Sequence, residues 1–424
     1  MQLRFAFFSN NNGNTTGMYV DELRLDEEAS DPDGDGIAGV LNEWNTYGTD
    51  PFKLDTDGDG FNDNVEIARG TNPLSNTSMP VLLGVATSVA LTASQPNSVA
   101  VGHLNGDAYA DVIAGDLAGK LYVYTGNGSA ALSAPVIYDS YTGVMNRFSW
   151  GFVNADPYVD IVMPSQTLDL VAVMYGDAAG IFSPYSYAID TYAAPTSAVV
   201  TDLNRDGYSD IVTANYAEGT GSTLSVLQGT GGGFALATPI NLLATTGMYG
   251  ITADGYSGIA VTQFNGGVLS LWDQYTMTQA NFTVGASPTD VVGGYLNHDN
   301  YADLVVVNSA AASISVLFGS GGGNFSSPST YLTSVSSQPR QAAIGDMDGD
   351  GHPDIVVSES LTHSVGILKG DGAGNFYPVM TYVVTGATDP EGIALGDLNG
   401  DGRLDVVLSN RNSSNLSVLL NTGP

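Results

Sequence analysis

The feature that most constrains this chain is an acidic nonapeptide that recurs about every 50 residues. Its fullest copy is Asp346-Met-Asp-Gly-Asp-Gly-His-Pro-Asp354, followed by Ile355-Val-Val. Two further copies are Asp397-Leu-Asn-Gly-Asp-Gly-Arg-Leu-Asp405 and Asp202-Leu-Asn-Arg-Asp-Gly-Tyr-Ser-Asp210. Weaker copies start at His103, Phe152 and Tyr295, and a decayed one at Gly250 keeps only Asp254. The first positions 103, 152, 202, 250, 295, 346 and 397 are 49, 50, 48, 45, 51 and 51 residues apart. A second marker holds the same register: Pro96, Pro195, Pro288, Pro339 and Pro390 each lie seven residues before a copy. Periods of this size belong to solenoids, propellers or arrays.

Each unit has one grammar. An apolar strand leads into the acidic loop, and a β-branched strand follows, as in Asp210-Ile-Val-Thr or Asp354-Ile-Val-Val. An alternating strand comes next, as in Leu224-Ser-Val-Leu, then a glycine cluster with Phe, as in Gly321-Gly-Gly-Asn-Phe325. A fourth strand returns to the proline. Four strands per unit predicts propeller blades, and no stretch of the array has a helical period. The last unit stops after three strands, and an orphan strand near 87–92 precedes the first. Pairing the two closes a seven-bladed ring and removes its open edges.

The loop chemistry points to a hard cation. Carboxylates at positions 1, 3, 5 and 9 repel one another without one, and glycine lets the backbone bring the oxygens together. A solvated acidic turn is the bland alternative for any single copy. The chain of 424 residues carries 44 Asp and Glu against 11 Lys and Arg, a net charge of −33. That balance argues against nucleic acid and anionic membranes as partners. With no cysteine, disulfides, thiolate catalysis and Cys-ligated zinc are excluded. No apolar run reaches the length that spans a bilayer.

A different acidic pattern occupies residues 31–78. Asp55, Asp57 and Asp59 fill positions 1, 3 and 5 of an EF-hand-type loop, Phe61 offers its carbonyl, Asp63 stands at position 9 and Glu66 at 12. An earlier copy begins Asp31, Asp33, Asp35, but Asn42 takes its position 12 and Glu43 falls one place late. Both copies end in matching tails, Gly48-Thr-Asp-Pro51 and Gly70-Thr-Asn-Pro73. The pair resembles the thrombospondin type 3 repeats of bacterial surface proteins, which implies a calcium-stiffened spacer. Residues 1–30 read as strand, turn, strand, and resemble the last hairpin of a jelly-roll-like domain. The opening residues are too short and wrongly flanked for a signal peptide. We therefore expect the natural protein to extend upstream, with further domains there.

Residues 79–424 resemble the FG-GAP or VCBS repeats of the integrin α-chain propeller and its bacterial relatives. The resemblance implies an all-β, seven-bladed propeller with calcium in loops between the first two strands of some blades. It carries ligand roles to Asp202, Asn204, Asp206 and Asp210 with the Tyr208 carbonyl, and to Asp346, Asp348, Asp350 and Asp354 with the His352 carbonyl. It carries them also to Asp397, Asn399, Asp401 and Asp405 with the Arg403 carbonyl. Three copies lack a position-1 carboxylate, and weak or empty sites are expected there: Asn105, Asp107 and Asp111; Asn154, Asp156 and Asp160; Asn297, Asp299 and Asp303.

Three functions compete. The first is a calcium-stabilised, secreted or cell-surface binding or adhesion module, presenting a propeller face to an extracellular protein or glycan. The second is an enzyme, such as a polysaccharide lyase or glycoside hydrolase, on fold analogy alone. The third is a structural stalk. No catalytic constellation stands off the repeat pattern. His103, His298 and His352 sit in repeat loops and His363 in a turn. The irregular units are candidates for specificity: Arg147, Trp150 and Tyr158 in one, Trp272, Asp273 and Tyr275 in another. The reading favoured is the non-enzymatic binding module with several structural Ca²⁺ ions.

Overall fold

The computed structural model describes residues 31–38, 43–76, 78–91, 95–139, 147–189, 193–216, 223–231, 233–235, 238–241, 247–253, 258–274 and 276–423. The expected hairpin at 1–30, and Asn42, Asp254 and Tyr275, lie outside them. The chain divides into two compact units, 1–80 and 81–424.

Unit two is a ring of seven four-stranded antiparallel sheets. The first blade runs β2 (Pro96–Gly102), β3 (Asp111–Asp116), β4 (Lys120–Tyr124) and β5 (Val136–Asp139). The next five repeat that order. The seventh takes β26 (Pro390–Gly396), β27 (Asp405–Asn410) and β28 (Asn415–Leu419), and its outer strand is β1 (Thr87–Ala90) from the other end of the unit. Thr87 faces Val418 and Ala90 faces Asn415, so the orphan strand does close the ring.

The sequence grammar has a direct cause. Every second strand is buried along its whole length, because adjacent blades cover both of its faces. Continuous β-branched runs suit such strands. Outer strands such as β5 are mostly exposed. The apolar core lies between blades: Ile113, Leu121 and Val123 of the first pack with Ile161, Met163 and Met174 of the second. Val112 and Tyr122 of the first join Val407 and Leu416 of the seventh, so the core is continuous around the closure.

Both sequence markers now have a place. Each repeated proline starts an innermost strand at a register shift, as at Pro96/Ser98 and Pro390/Gly392, where a missing N–H costs nothing. Glycine ends most innermost strands because the next blade presses on it. A Cβ on Gly102 would meet the Trp150 ring at 2.2 Å, and one on Gly396 would meet Val101 at 2.3 Å.

Unit one is built on helix ends. Glu43–Tyr47 forms a π-helical turn and Asp63–Arg69 a short α-helix, α1. The glycines of the two matching tails cap them. Gly48, at φ 79°, donates to the Glu43 carbonyl, and Gly70, at φ 76°, bonds back to the Glu66 and Ile67 carbonyls.

Candidate metal centres in the acidic loops

In unit one the two acidic loops place their carboxylates inward. Asp55 accepts the Gly58 and Gly60 N–H groups at 2.7 and 2.8 Å, and Asp31 accepts those of Gly34 and Gly36 at 2.8 and 2.9 Å. These bonds fold each loop around its first aspartate. Position 3 turns one oxygen to the backbone of position 5, from Asp33 to Asp35 N and from Asp57 to Asp59 N, both at 3.2 Å. The facing oxygens of Asp31, Asp33 and Asp35 lie within 4.8 Å of one another, as do those of Asp55, Asp57 and Asp59.

The remaining oxygens have no internal use. Oδ2 of Asp33, Asp35 and Asp57, and both carboxylate oxygens of Glu43 and Glu66, are buried without a hydrogen bond among the described residues. Buried carboxylates without partners are costly. Burial pushes the Glu66 carboxyl up to about 8, with Asp59 and Asp57 adding repulsion, and the Glu43 carboxyl up to about 7, with Asp33 and Asp35 adding theirs. Burial also raises Asp35, Asp57 and Asp63 above the usual carboxylate range. A divalent cation bound by oxygens answers all of this at once, so the donor set fits calcium.

Glu43 was missed by the position count, which gave position 12 to Asn42. It is fully buried and lies in the field of Asp33 and Asp35. The signal was in the tails. Glu66 precedes its capping glycine by four residues and Glu43 by five, and the wider π turn takes up that extra residue. Asp63 serves otherwise than position 9 suggests. Both its oxygens accept from Thr56, the N–H at 2.8 Å and the hydroxyl at 2.7 Å, which ties α1 to the loop. Phe61 is buried at position 7 and anchors the loop by its ring.

The propeller loops share a second design. Their position-9 aspartates, Asp111, Asp160, Asp210, Asp303, Asp354 and Asp405, are fully buried. Each spans the blade. Asp354 accepts Met347 N–H on one oxygen and Gly370 N–H on the other, both at 2.8 Å. Asp111 does the same with Leu104 and Gly126, and Asp405 with Leu398 and Asn421. Asp160, Asp210 and Asp303 follow suit. Position 9 is thus a clamp between the first loop and the end of the third strand. Burial raises Asp160, Asp210, Asp303 and Asp405 despite these bonds, and takes Asp354 to about 8, with Asp348 contributing repulsion.

In the three fullest copies position 1 folds the loop tip, and in the sixth blade the facing oxygens of Asp346, Asp348 and Asp354 lie within 4.8 Å of one another. Asp202 accepts Asp206 and Gly207 N–H, Asp346 accepts Gly349 and Gly351, and Asp397 accepts Gly400, Asp401 and Gly402. The position-5 carboxylate then finds a donor in the protein. The Asn204 amide reaches Asp206 at 2.9 Å, Asn399 reaches Asp401 at 3.0 Å, Asn154 reaches Asp156 at 2.8 Å and Asn297 reaches Asp299 at 2.9 Å. In the first blade Asn105 Oδ1 accepts Asp107 N–H. Arg403 also bonds Asp401 at 2.6 Å. In the sixth blade the buried Lys369 ammonium lies 2.7 Å from Asp348 and 3.3 Å from Asp350. That lysine, like Glu43, was not marked from the sequence.

Position 7 has a use beyond its carbonyl. The side chains of Tyr109, Tyr208, Tyr301 and His352 lie over the glycine cluster of the same blade; a Cβ on Gly128, Gly231, Gly321 or Gly372 would come within 2.6 Å of them. The specificity candidates separate. Arg147 runs to the propeller axis, Trp150 packs on Gly102, and Trp272 is core. Tyr158 donates its N–H to Asp156, and Asp273 accepts from Thr276.

Comparison with known proteins agrees with this architecture. The model of the FG-GAP-like repeat matches residues 295–357 and 346–408, and that of the FG-GAP repeat matches 194–233. The bacterial TSP3 repeat matches 55–76, the second loop of unit one. No curated protein matches the sequence. Among solved structures, a streptogramin B lyase superposes with a TM-score of 0.60 at 14% identity, over 80% of this chain and 97% of its own. Virginiamycin B lyase from Staphylococcus aureus gives 0.58 at 12%, over 79% and 98%. Raptor from Chaetomium thermophilum gives 0.57 at 12%, over 81% of this chain and 30% of its own. At these identities the likeness is one of fold. The chain carries FG-GAP repeats, built into a seven-bladed β-propeller, and a bacterial TSP3 repeat.

Proposed function

We propose that this protein is a calcium-stabilised extracellular binding or adhesion module. The TSP3-type unit is the spacer, and the propeller presents a face to a protein or glycan. The observation that carries the calcium part is the set of buried, unbonded oxygens of Asp33, Asp57, Glu43 and Glu66. Calcium there is structural: it cancels carboxylate repulsion and links metal binding to folding. The repeats support a binding or structural role, and among the described residues no helix is long and apolar enough to cross a membrane. The lyase neighbours bring no activity to this chain, because fold does not carry chemistry.

The test is thermal unfolding in millimolar calcium and in excess chelator, with bound metal counted by elemental analysis. A lower transition in chelator, and at least one bound calcium per spacer loop, is the expected result. Identical melts with no bound calcium would end the calcium reading. Capture of glycans or proteins by the calcium-loaded chain tests the binding role.

A further inference from the structure

The edge of the propeller opposite the acidic loops has a construction of its own. There the residue after each second strand is fixed by one repeated backbone bond. Leu117, Tyr216, Phe264, Ser309, Ser360 and Arg411 donate their N–H groups to the carbonyls of Gln95, Ala194, Gly247, Ser287, Gln338 and Asp389, at 2.8–3.1 Å. The backbone is the same in six blades, and the side chains are all unlike save for the two serines. Core and loop positions repeat their chemistry from blade to blade; this ring does not. A fixed scaffold with varied side chains is the arrangement of a recognition surface rather than of a packing element.

The variation is also lopsided. Tyr216, Phe264, Arg411 and Gln166 line a cavity of about 310 Å³ with Tyr249 and Glu391. That volume lies at the small end of ligand sites, suited to one ring-sized ligand. The Tyr249 and Phe264 rings lie 5.7 Å apart, tilted by 34°. Arg147 reaches across the axis from the second blade. It bonds Asp290 at 2.9 Å and the Arg340 carbonyl at 2.9 Å, and its guanidinium covers the Tyr249 ring at 5.4 Å. This sets Tyr249 in place.

Charge singles out the same spot. Residues 81–424 hold seven cationic side chains, at 120, 147, 205, 340, 369, 403 and 411. Three of them, Arg147, Arg340 and Arg411, converge at this end of the axis. Arg147 is paired with Asp290, and Arg340 lies 3.8 Å from Glu391. The Arg411 guanidinium has no ion pair or hydrogen bond among the described residues. Glu391 is 5% exposed, and its Oε2 has no hydrogen bond.

We propose that this axial cavity binds a carboxylated sugar ring. Arg411 takes the carboxylate in a charge-assisted pair. Glu391 and Gln166 meet the ring hydroxyls, and the Phe264 and Tyr249 rings cover its apolar face. The proposal rests on the binding-module reading and narrows it to a glycan and to this face.

The experiment is a titration of methyl β-D-glucuronide and methyl β-D-glucoside into the calcium-loaded chain, followed by NMR. The two probes differ only in the carboxylate. The glucuronide is expected to bind about tenfold tighter. Arg411→Gln should remove that preference, and Phe264→Ala should weaken both sugars. Val383→Thr, on an exposed outer strand, should change neither. Melting curves of each variant separate lost binding from lost folding, and Arg411→Lys should keep part of the preference. Equal affinity for both sugars, no binding of either, or a preference that survives in Arg411→Gln would overturn the proposal. Calcium-dependent capture of another glycan or a protein, indifferent to Arg411, would overturn it too while leaving the module reading standing.

Discussion

The two families of acidic loops look alike in sequence and differ in how their charge is answered. In the spacer, Oδ2 of Asp33 and of Asp57 and both carboxylate oxygens of Glu43 and Glu66 are buried with no hydrogen-bond donor among the described residues. In five propeller loops the position-5 carboxylate meets an asparagine amide, Lys369 or Arg403, and every position-9 aspartate accepts two backbone N–H groups. The first design leaves its buried oxygens to a cation from solution, which they fit. The second is closed by groups the chain brings with it, and calcium adds to a loop that already folds. One consensus of alternating aspartates thus covers two dependencies, and the residues outside the consensus decide which applies.

The largest test of this contrast is calcium removal. In excess chelator at pH 8, residues 31–78 should lose their structure while the propeller keeps its own transition. Limited proteolysis read by mass spectrometry would show cleavage confined to the spacer. Cleavage spread through the blades would break the comparison.

Lys369→Met comes next. It leaves Asp348 buried without its partner, at a cost of about 3 kcal/mol in chelator. Calcium should restore part of that, and the variant should bind one more calcium than the parent. A variant as stable as the parent in chelator would show that the lysine closes nothing.

Glu66→Gln sharpens the contrast through its sign. In calcium it should forfeit most of the metal-linked stability of the spacer, about 2.7 kcal/mol at a hundredfold excess over the dissociation constant. In chelator it should stabilise, because folding then requires neither a buried charge nor the proton that neutralises it. The pH dependence follows the same logic. The folded Glu66 and Glu43 carboxyls are raised to about 8 and about 7, above their unfolded value of 4.5. The folded state therefore holds protons that the unfolded state has lost. In chelator, stability of the spacer should fall as pH rises from about 4.5 to 8. With calcium bound, the carboxylates are needed ionised and the trend should reverse. Melting temperatures at pH 5 and pH 8, with and without calcium, check both signs.

The smallest effect is expected from Asn204→Ala, which removes two exposed bonds to Asp206, one donated by the amide and one accepted by its oxygen. A loss of about 1 kcal/mol in chelator is the scale.

Much of the fold was legible because it is repeated. The proline and acidic markers set the blade period, the β-branched runs marked the buried second strands, and the missing fourth strand foretold the closure by β1. The carboxylates of the loops were legible for the same reason. What was hidden belongs to no repeat. Lys369 acts within its own blade but from outside the nonapeptide, Arg147 and Trp150 act on other blades, and a single copy leaves no periodic trace. Glu43 was hidden by a one-residue offset that only the π turn explains. Position 9 reads as a ligand, and Asp354 does bring an oxygen within 4.8 Å of those of Asp346 and Asp348; no spacing shows that these aspartates also span a blade to reach Gly370 or Asn421.

The closing strand has a mechanical meaning. β1 is the first strand of the propeller reached from the spacer, and it is held on β28 by a short antiparallel ladder, extended by Gly84 to Leu420 and Thr422 to Leu82. Tension on the chain just before β1 would load that ladder first. When β1 yields, β26, β27 and β28 stay behind, and their core shared with the first blade is then what keeps the ring closed.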